Sequence, residues 1–196
     1  MPTPASAAPA PPPPPLTAFI SGPITPPAHF FETHYLPFLQ LAVSQSHNFI
    51  MGPAAGIDTL CLSHLLSAPI SACRITVYLA DFENHTLRSS YAAFEAAGGK
   101  IKVEGATTGA RDAAMTRDSD YDILRYLNEH EAREYYGEAY TPRISNTQKN
   151  ERRRRGEPLH YNPAFETEVV IGSGDDEDGV SPIRRRFVPI FGEPDA

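Results

Sequence analysis

The chain of 196 residues has no tryptophan and only two cysteines, Cys61 and Cys73. Two thiols in a chain of this length do not make a disulfide framework, so we expect both to be free in a reducing compartment. The sequence also lacks a run of about 18 apolar residues and a basic, then apolar, N-terminal leader. These absences predict a soluble, cytoplasmic protein without a membrane partner.

Positive charge is scarce, since 17 Lys and Arg stand against 24 Asp and Glu and give a formal net charge of −7. Nucleic acids and anionic membranes are bound by basic surfaces, so we do not expect nucleic acid as a partner. The dense basic stretch Arg152–Arg155 is interpreted as a solvated surface, or as the partner of the acidic residues Asp175–Asp178. His29 and His34 face different sides of a helix, so we predict no metal site, and no cofactor is expected.

Proline is plentiful, and its distribution divides the chain. Residues 1–15 are almost wholly Pro and Ala, which predicts a disordered tail. Residues 16–155 hold the apolar periodicity of a folded domain. Residues 156–196 form a C-terminal extension, in which 165–171 and 186–191 are typical of two short strands that would pair as a β-hairpin around an acidic loop.

Short apolar segments alternate with helical patterns in residues 16–127, which predicts an α/β fold: a three-layer sandwich with a mostly parallel, open sheet. The predicted strands are Leu16–Gly22, Asn48–Gly52, Arg74–Ala80 and Lys100–Glu104, the last near a sheet edge. We predict four helices. The first starts at Pro27 and has a break at Pro37, and the second starts at Ile57. The other two span Tyr91–Ala97 and Arg111–Arg117. Residues 121–127 are either a last strand or the start of a helix that continues through Tyr135.

Two loops follow strands at the edge of the sheet where ligands bind in such folds. Ser21 and Gly22 end the first strand. Gly52, Gly56 and Asp58 follow the second strand and precede a helix, so their backbone amides and the helix dipole favour an anion such as phosphate. The alternative is that the glycines only form a tight turn and that Asp58 caps a helix beginning near Thr59.

Arg111 and Asp112 follow a Thr-Thr-Gly turn. Arg111 suits a phosphate clamp, with Asp112 orienting it or contacting a ribose hydroxyl. The alternative places both in the first turn of a helix, where the dipole favours Asp112. Cleavage of an N-glycosidic bond would need a carboxylate, and the candidates near strand ends are Asp58, Asp81, Glu83 and Asp112.

Four of these pieces together resemble a known family. They are Phe19-Ile20-Ser21-Gly22, Gly52 to Asp58, Thr76-Val77-Tyr78, and Arg111 to Met115 with Ser119-Asp120-Tyr121. In order and spacing they are similar to the SLOG group of Rossmann-like proteins, which belongs to a wider set with DprA-like, LOG-like and nucleoside deoxyribosyltransferase-like domains. The resemblance implies a Rossmann-like sheet that binds a nucleotide, nucleoside phosphate or NAD-derived ligand at its first two loops.

The same resemblance implies a further Thr and Asn at the site, which Thr147 and Asn150 match, after an insertion at residues 128–144. Asn146 replaces the glycine of that motif, and the acidic Gly-Gly-x-Gly-Thr-x-x-Glu pattern of LOG-type enzymes is missing. Three hypotheses follow. The chain is a module that binds or senses a nucleotide-like small molecule, an N-glycosidase or deoxyribosyltransferase-like enzyme, or an inert scaffold that binds proteins through its arginines and tails; a homo-oligomer stays open.

Overall fold

Five short segments form the strands of one parallel sheet in the computed structural model, which describes residues 14–159. The strands are β1 (Thr17–Ser21), β2 (Asn48–Met51), β3 (Ile75–Leu79), β4 (Lys100–Val103) and β5 (Tyr121–Leu124). Their order in the sheet is β4-β3-β2-β1-β5, and every neighbouring pair is parallel. The predicted parallel sheet is confirmed, β4 is an edge strand, and residues 121–124 are a strand and not a helix.

Eight described α-helices connect the strands or follow them. They are α1 (Phe30–His34), α2 (Leu36–Ser44), α3 (Ile57–Ser67), α4 (Asp81–Leu87), α5 (Ala92–Ala96), α6 (Thr108–Arg117), α7 (Glu129–Tyr136) and α8 (Asn146–Arg155). The break expected at Pro37 lies at Tyr35, between α1 and α2, because proline is accepted in the first turn of the second helix. The helix α4 was not predicted.

The central strands of the sheet are buried on both faces, and alternate residues of β1 show the two sides. Ala18 and Ile20 pack in a large apolar cluster with residues of α2, α3 and α5. Phe19 packs in a second cluster with Met115 of α6. The chain is thus a Rossmann-like three-layer α/β sandwich, because α6 crosses back over the opposite face to place β5 beside β1.

Arg154 fixes the position of α8, and all five of its N–H groups are used. Its Nε and Nη2 donate to the two carboxylate oxygens of Asp122 in β5, at 3.0 and 2.6 Å. Its Nη1 donates to the carbonyls of Thr116 and Ser119 at 3.0 and 2.8 Å, and Nη2 also donates to Ser119 Oγ at 2.5 Å. Arg154 therefore joins α8 to the end of α6 and to the sheet, and is not a solvated charge.

Several predictions concern residues outside the described range. Most of the predicted Pro and Ala tail falls within residues 1–13. The two predicted C-terminal strands and the acidic loop fall within residues 160–196. The described part of the chain contains no helix with the length and apolarity needed to cross a bilayer.

We expect Arg154→Lys to destabilise the fold by roughly 2 kcal/mol, because one ammonium cannot replace a two-pronged contact to Asp122 together with two carbonyl contacts. The measurement is the free energy of unfolding in urea. Arg155→Lys is the matched control, since Arg155 pairs on the surface with Glu151 four residues earlier, and we expect a change below about 0.5 kcal/mol. Equal effects of the two substitutions would contradict the role given to Arg154.

Candidate functional site

All five strands end at the same edge of the sheet, and the residues predicted for the site lie there. Ile20 of β1 is paired with Met51 of β2, so Ser21 and Gly52 come next on two neighbouring strands. Ser21 also aligns with Leu124, the last residue of β5. The first two predicted loops are therefore side by side.

Ser21 is buried against α8. Its hydroxyl lies 3.3 Å from Thr147 Oγ1 and accepts a hydrogen bond from Asn150 Nδ2 at 3.1 Å. The side-chain oxygen of Asn150 accepts in turn from Arg153 at 2.7 Å, which fixes the amide orientation. Thr147, Asn150 and Arg154 follow one another at intervals of three and four residues, so they share one face of α8. The contact that holds α8 on the sheet therefore also brings Thr147 and Asn150 to Ser21.

Arg111 is buried between two carboxylates. Its Nε and Nη2 donate to one oxygen of Asp112 at 3.0 and 2.8 Å, and its Nη1 donates to Glu83 at 2.5 Å. The other oxygen of Glu83 accepts from the backbone N–H of Ala80 at 2.8 Å, just after β3. Burial lowers the pKa of Arg111, but Asp112 and Glu83 together outweigh burial and raise it. The guanidinium is therefore charged and already paired.

Asp58 adds a third carboxyl group to this cluster. A Cβ atom at Gly52 would lie 3.1 Å from Asp58 Oδ2 and 3.3 Å from Arg111 Cζ, so Gly52 touches both groups. Burial raises the pKa of Asp58 well above its ordinary value, and the positive charge of Arg111 only partly opposes the shift. Three carboxyl groups thus lie near one guanidinium, and both burial and the negative charge of Asp112 oppose the ionised form of Asp58.

The two glycine loops pack directly against each other. Gly56 has a left-handed φ of 75° and lies against the carbonyls of Pro23 and Ile24, where a Cβ would be as close as 2.5 and 2.3 Å. The N–H of Ile57, the first residue of α3, donates to the Pro23 carbonyl at 3.2 Å. Asp58 is the second residue of α3, so the alternative in which it caps a helix beginning near Thr59 is wrong. One amide of this helix start is already bonded within the protein.

Tyr35 closes the crevice between β1 and β5, where the strand order reverses. Its hydroxyl, fully buried, lies 2.8 Å from the carbonyl of Ser21 and 3.0 Å from the backbone N–H and carbonyl of Arg125. Burial raises the pKa of Tyr35 well above its ordinary value, so the phenol stays neutral. The Tyr35 hydroxyl therefore ties the end of β1 to the residue that follows β5.

The predicted residues form two adjoining groups. Ser21, Thr147 and Asn150 make one, and Gly52, Asp58, Arg111 and Asp112 make the other. Gly22 packs closely against α3 and Tyr35. A Cβ atom at Gly22 would lie only 2.5 Å from Ile57 Cβ and from the Tyr35 hydroxyl. Two contributors were missed. Glu83 was considered only as a catalytic carboxylate, although its place just after β3 also allowed a partner role, and no motif signalled Tyr35.

The fold and the site together define an α/β protein of the Rossmann-like class with a polar, partly ionic site at the carboxyl edge of its sheet. No model of a known protein family, no curated protein and no solved structure matches this chain. Among the described residues, no group of three or more His, Cys, Asp or Glu side chains is arranged to hold a metal ion.

We expect Asp58→Asn to stabilise the protein at neutral pH. The folded-state pKa of Asp58 lies above the unfolded value near 3.9, so the folded state binds more protons between the two values. The stability that Asp58 contributes is therefore complete below about pH 3.9 and is lost as the pH rises through the folded-state pKa. Thermal unfolding should show the variant melting a few degrees higher at pH 8, since about 1 kcal/mol moves the midpoint by ~2–4 °C.

The difference in melting temperature between the Asp58→Asn variant and the wild type should become smaller as the pH falls toward 4. Glu134→Gln, which removes an exposed acid of α7, serves as the control and should show no comparable gain at pH 8. A wild-type protein that is more stable than Asp58→Asn at pH 8 would show that Asp58 is held there as a favourable carboxylate.

Proposed function

We propose that this chain is a module that binds a nucleotide, nucleoside phosphate or NAD-derived small molecule at the carboxyl edge of its sheet. The observation that carries the proposal is the buried Ser21–Thr147–Asn150 group, which lies next to Gly52 on the neighbouring strand. Sugar hydroxyls and base edges both donate and accept hydrogen bonds, and hydroxyl and amide side chains do the same.

The charges favour contact with the sugar and base of the ligand at this point. Arg111 would clamp a phosphate only if it released Glu83 or Asp112, and three carboxyl groups around it disfavour a second anion. The clamp role of Arg111 therefore stays a prediction. In the arrangement described here, Arg111 positions Glu83 and Asp112, whose remaining acceptor sites suit ribose hydroxyls or an amino group.

Binding is preferred to catalysis because of where the carboxylates lie. Glu83 and Asp112 are held by Arg111, and the Ser21 group contains an amide, Asn150, and no acid.

The arginines that the scaffold hypothesis would use to bind a partner are instead bonded within the chain. Arg152 donates to the Pro158 carbonyl, Arg153 to Asn150, Arg154 to Asp122 and Arg155 to Glu151.

The test is a thermal-shift titration of the full chain with adenosine, AMP, NAD and ADP-ribose. A ligand at a hundredfold excess over its Kd contributes about 2.7 kcal/mol, so we expect the midpoint to rise by several degrees. Asn150→Ala should weaken binding at least tenfold, about 1.4 kcal/mol, measured against its own unliganded midpoint. Asn146→Ala, an exposed asparagine at the start of the same helix, should bind as the wild type does. No shift with any of these compounds would refute the proposal.

A second candidate is cleavage of an N-glycosidic bond, which the raised pKa of Asp58 favours. A carboxyl group whose pKa is raised keeps its proton to a higher pH than an ordinary one and can donate it to a departing base. Incubation with nucleosides, AMP and NAD, followed by chromatography, measures release of free base. Release by the wild type that Asp58→Asn abolishes would make the chain an enzyme; no release in any reaction would leave binding as the function.

A further inference from the structure

Asp112 has one carboxylate oxygen that the protein does not use. Arg111 donates from both Nε and Nη2 to Oδ1 of Asp112, at 3.0 and 2.8 Å. No residue between positions 14 and 159 donates to the second oxygen, Oδ2, although Asp112 is only 5% exposed. Every fully enclosed side-chain oxygen or nitrogen in the described part of the chain has a partner. Oδ2 is therefore open to the outside, where a ligand can donate to it.

Tyr91 offers an unused hydroxyl close to the same place. It ends the short 3-10 helix Arg88–Tyr91, and its partly buried ring packs against the larger apolar cluster. That cluster contains Leu79, the last residue of β3, and Ile57, which precedes Asp58 in α3. The Tyr91 hydroxyl forms no hydrogen bond within the described residues, so it is open to the outside as well.

The charges of the ionic cluster act on the Tyr91 hydroxyl. Burial is the main reason that the pKa of Tyr91 is raised, and the carboxyl groups of Asp58 and Glu83 raise it further, while Arg111 partly opposes them. The phenol therefore keeps its proton and can donate a hydrogen bond. The cluster thus presents two unused groups to a ligand, an acceptor on Asp112 and a donor on Tyr91.

The cluster contains more negative than positive charge. Arg111 is paired with Glu83 and Asp112, at 2.5 and 2.8 Å, and all three side chains are at least nine-tenths buried. Two carboxylates outnumber one guanidinium even when Asp58 is protonated, so a phosphate at this point is disfavoured. An ammonium group could donate to Asp112 but could not accept from Tyr91. The group that fits is uncharged and both donates and accepts hydrogen bonds.

We propose that the ionic cluster is a subsite for the vicinal diol of a ribose, in which one hydroxyl donates to Asp112 Oδ2 and the other accepts from the Tyr91 hydroxyl. The inference rests on the proposed function and narrows its ligand to a ribonucleoside whose 2′ and 3′ hydroxyls are free. A hydrogen bond to a carboxylate is among the stronger ones, so Asp112 contributes most to the preference for ribose. The phosphate of a nucleotide then lies away from Arg111.

The experiment compares the binding of adenosine, 2′,3′-dideoxyadenosine and 3′-AMP to the full chain by isothermal titration calorimetry. The dideoxy compound leaves Asp112 Oδ2 and the Tyr91 hydroxyl without partners, so we expect it to bind at least about tenfold more weakly than adenosine. We expect a loss of about tenfold or more for 3′-AMP as well, because its phosphate replaces one hydroxyl of the diol and meets the carboxylates.

Tyr91→Phe separates a contact with the ligand from a structural role, because it removes the hydroxyl and keeps the ring that packs on the apolar cluster. We expect the variant to bind adenosine about fivefold more weakly and to bind 2′,3′-dideoxyadenosine as the wild type does, so the ratio of the two affinities falls. Tyr136→Phe, which changes an exposed tyrosine of α7, is the matched control and should keep the wild-type ratio.

The outcomes distinguish this inference from the proposed function. If adenosine binds and the dideoxy compound or 3′-AMP binds equally well, the diol subsite is overturned while the proposed function stands. The same holds if Tyr91→Phe keeps the wild-type ratio of affinities, since the diol would then contact other groups. Adenosine that fails to bind also overturns the subsite, and the thermal-shift titration with AMP, NAD and ADP-ribose then decides whether the proposed function falls with it.

Discussion

A single buried guanidinium holds together the carboxyl edge of this sheet. Arg111 comes from α6, on one face, and it bonds to Glu83 of α4, which follows β3, and to its neighbour Asp112. It also lies against Gly52, at the end of β2, beside Asp58 of α3. Removing one partner of a buried ion pair leaves an unpaired charge, which costs about 3–5 kcal/mol. The relative positions of the loops after β2 and β3 therefore depend on Arg111.

Most of the sheet was predictable because β1, β2 and β3 are buried on both faces and therefore read as short apolar runs between glycines and prolines, while β4 alternates as an edge strand does. The helices α4 and α8 were not predictable in the same way. The side of α8 that packs on the sheet consists of the buried Thr147 and Asn150 and the partly buried Arg154, which are all polar, so no apolar repeat marks it. It is held by hydrogen bonds to Asp122 and to carbonyls. The same polar character is why its arginines were interpreted as a solvated surface.

The grouping of the site residues could be predicted, and their contacts could not. Parallel strands bring the ends of β1 and β2 to one edge whatever the side chains are, so Ser21 and Gly52 had to be neighbours. Which charges pair there depends on residues far apart in sequence: Arg111 and Glu83 are separated by 28 positions, and Asn150 and Ser21 by 129. A phosphate clamp was the natural interpretation of Arg111 alone, whereas the folded chain already provides its anions.

The helix α3 joins the ionic cluster to the loop after β1. Its first turn contributes Asp58 to the ionic cluster, and the N–H of its first residue, Ile57, donates to the Pro23 carbonyl. The Ser21 group, in contrast, is completed by α8, which reaches the opposite side of the sheet with α6. The site is thus built by helices from both sides of the sheet. Because Gly56 and Ile57 lock the start of α3 to the loop after β1, any restraint on α3 also acts on both glycine loops.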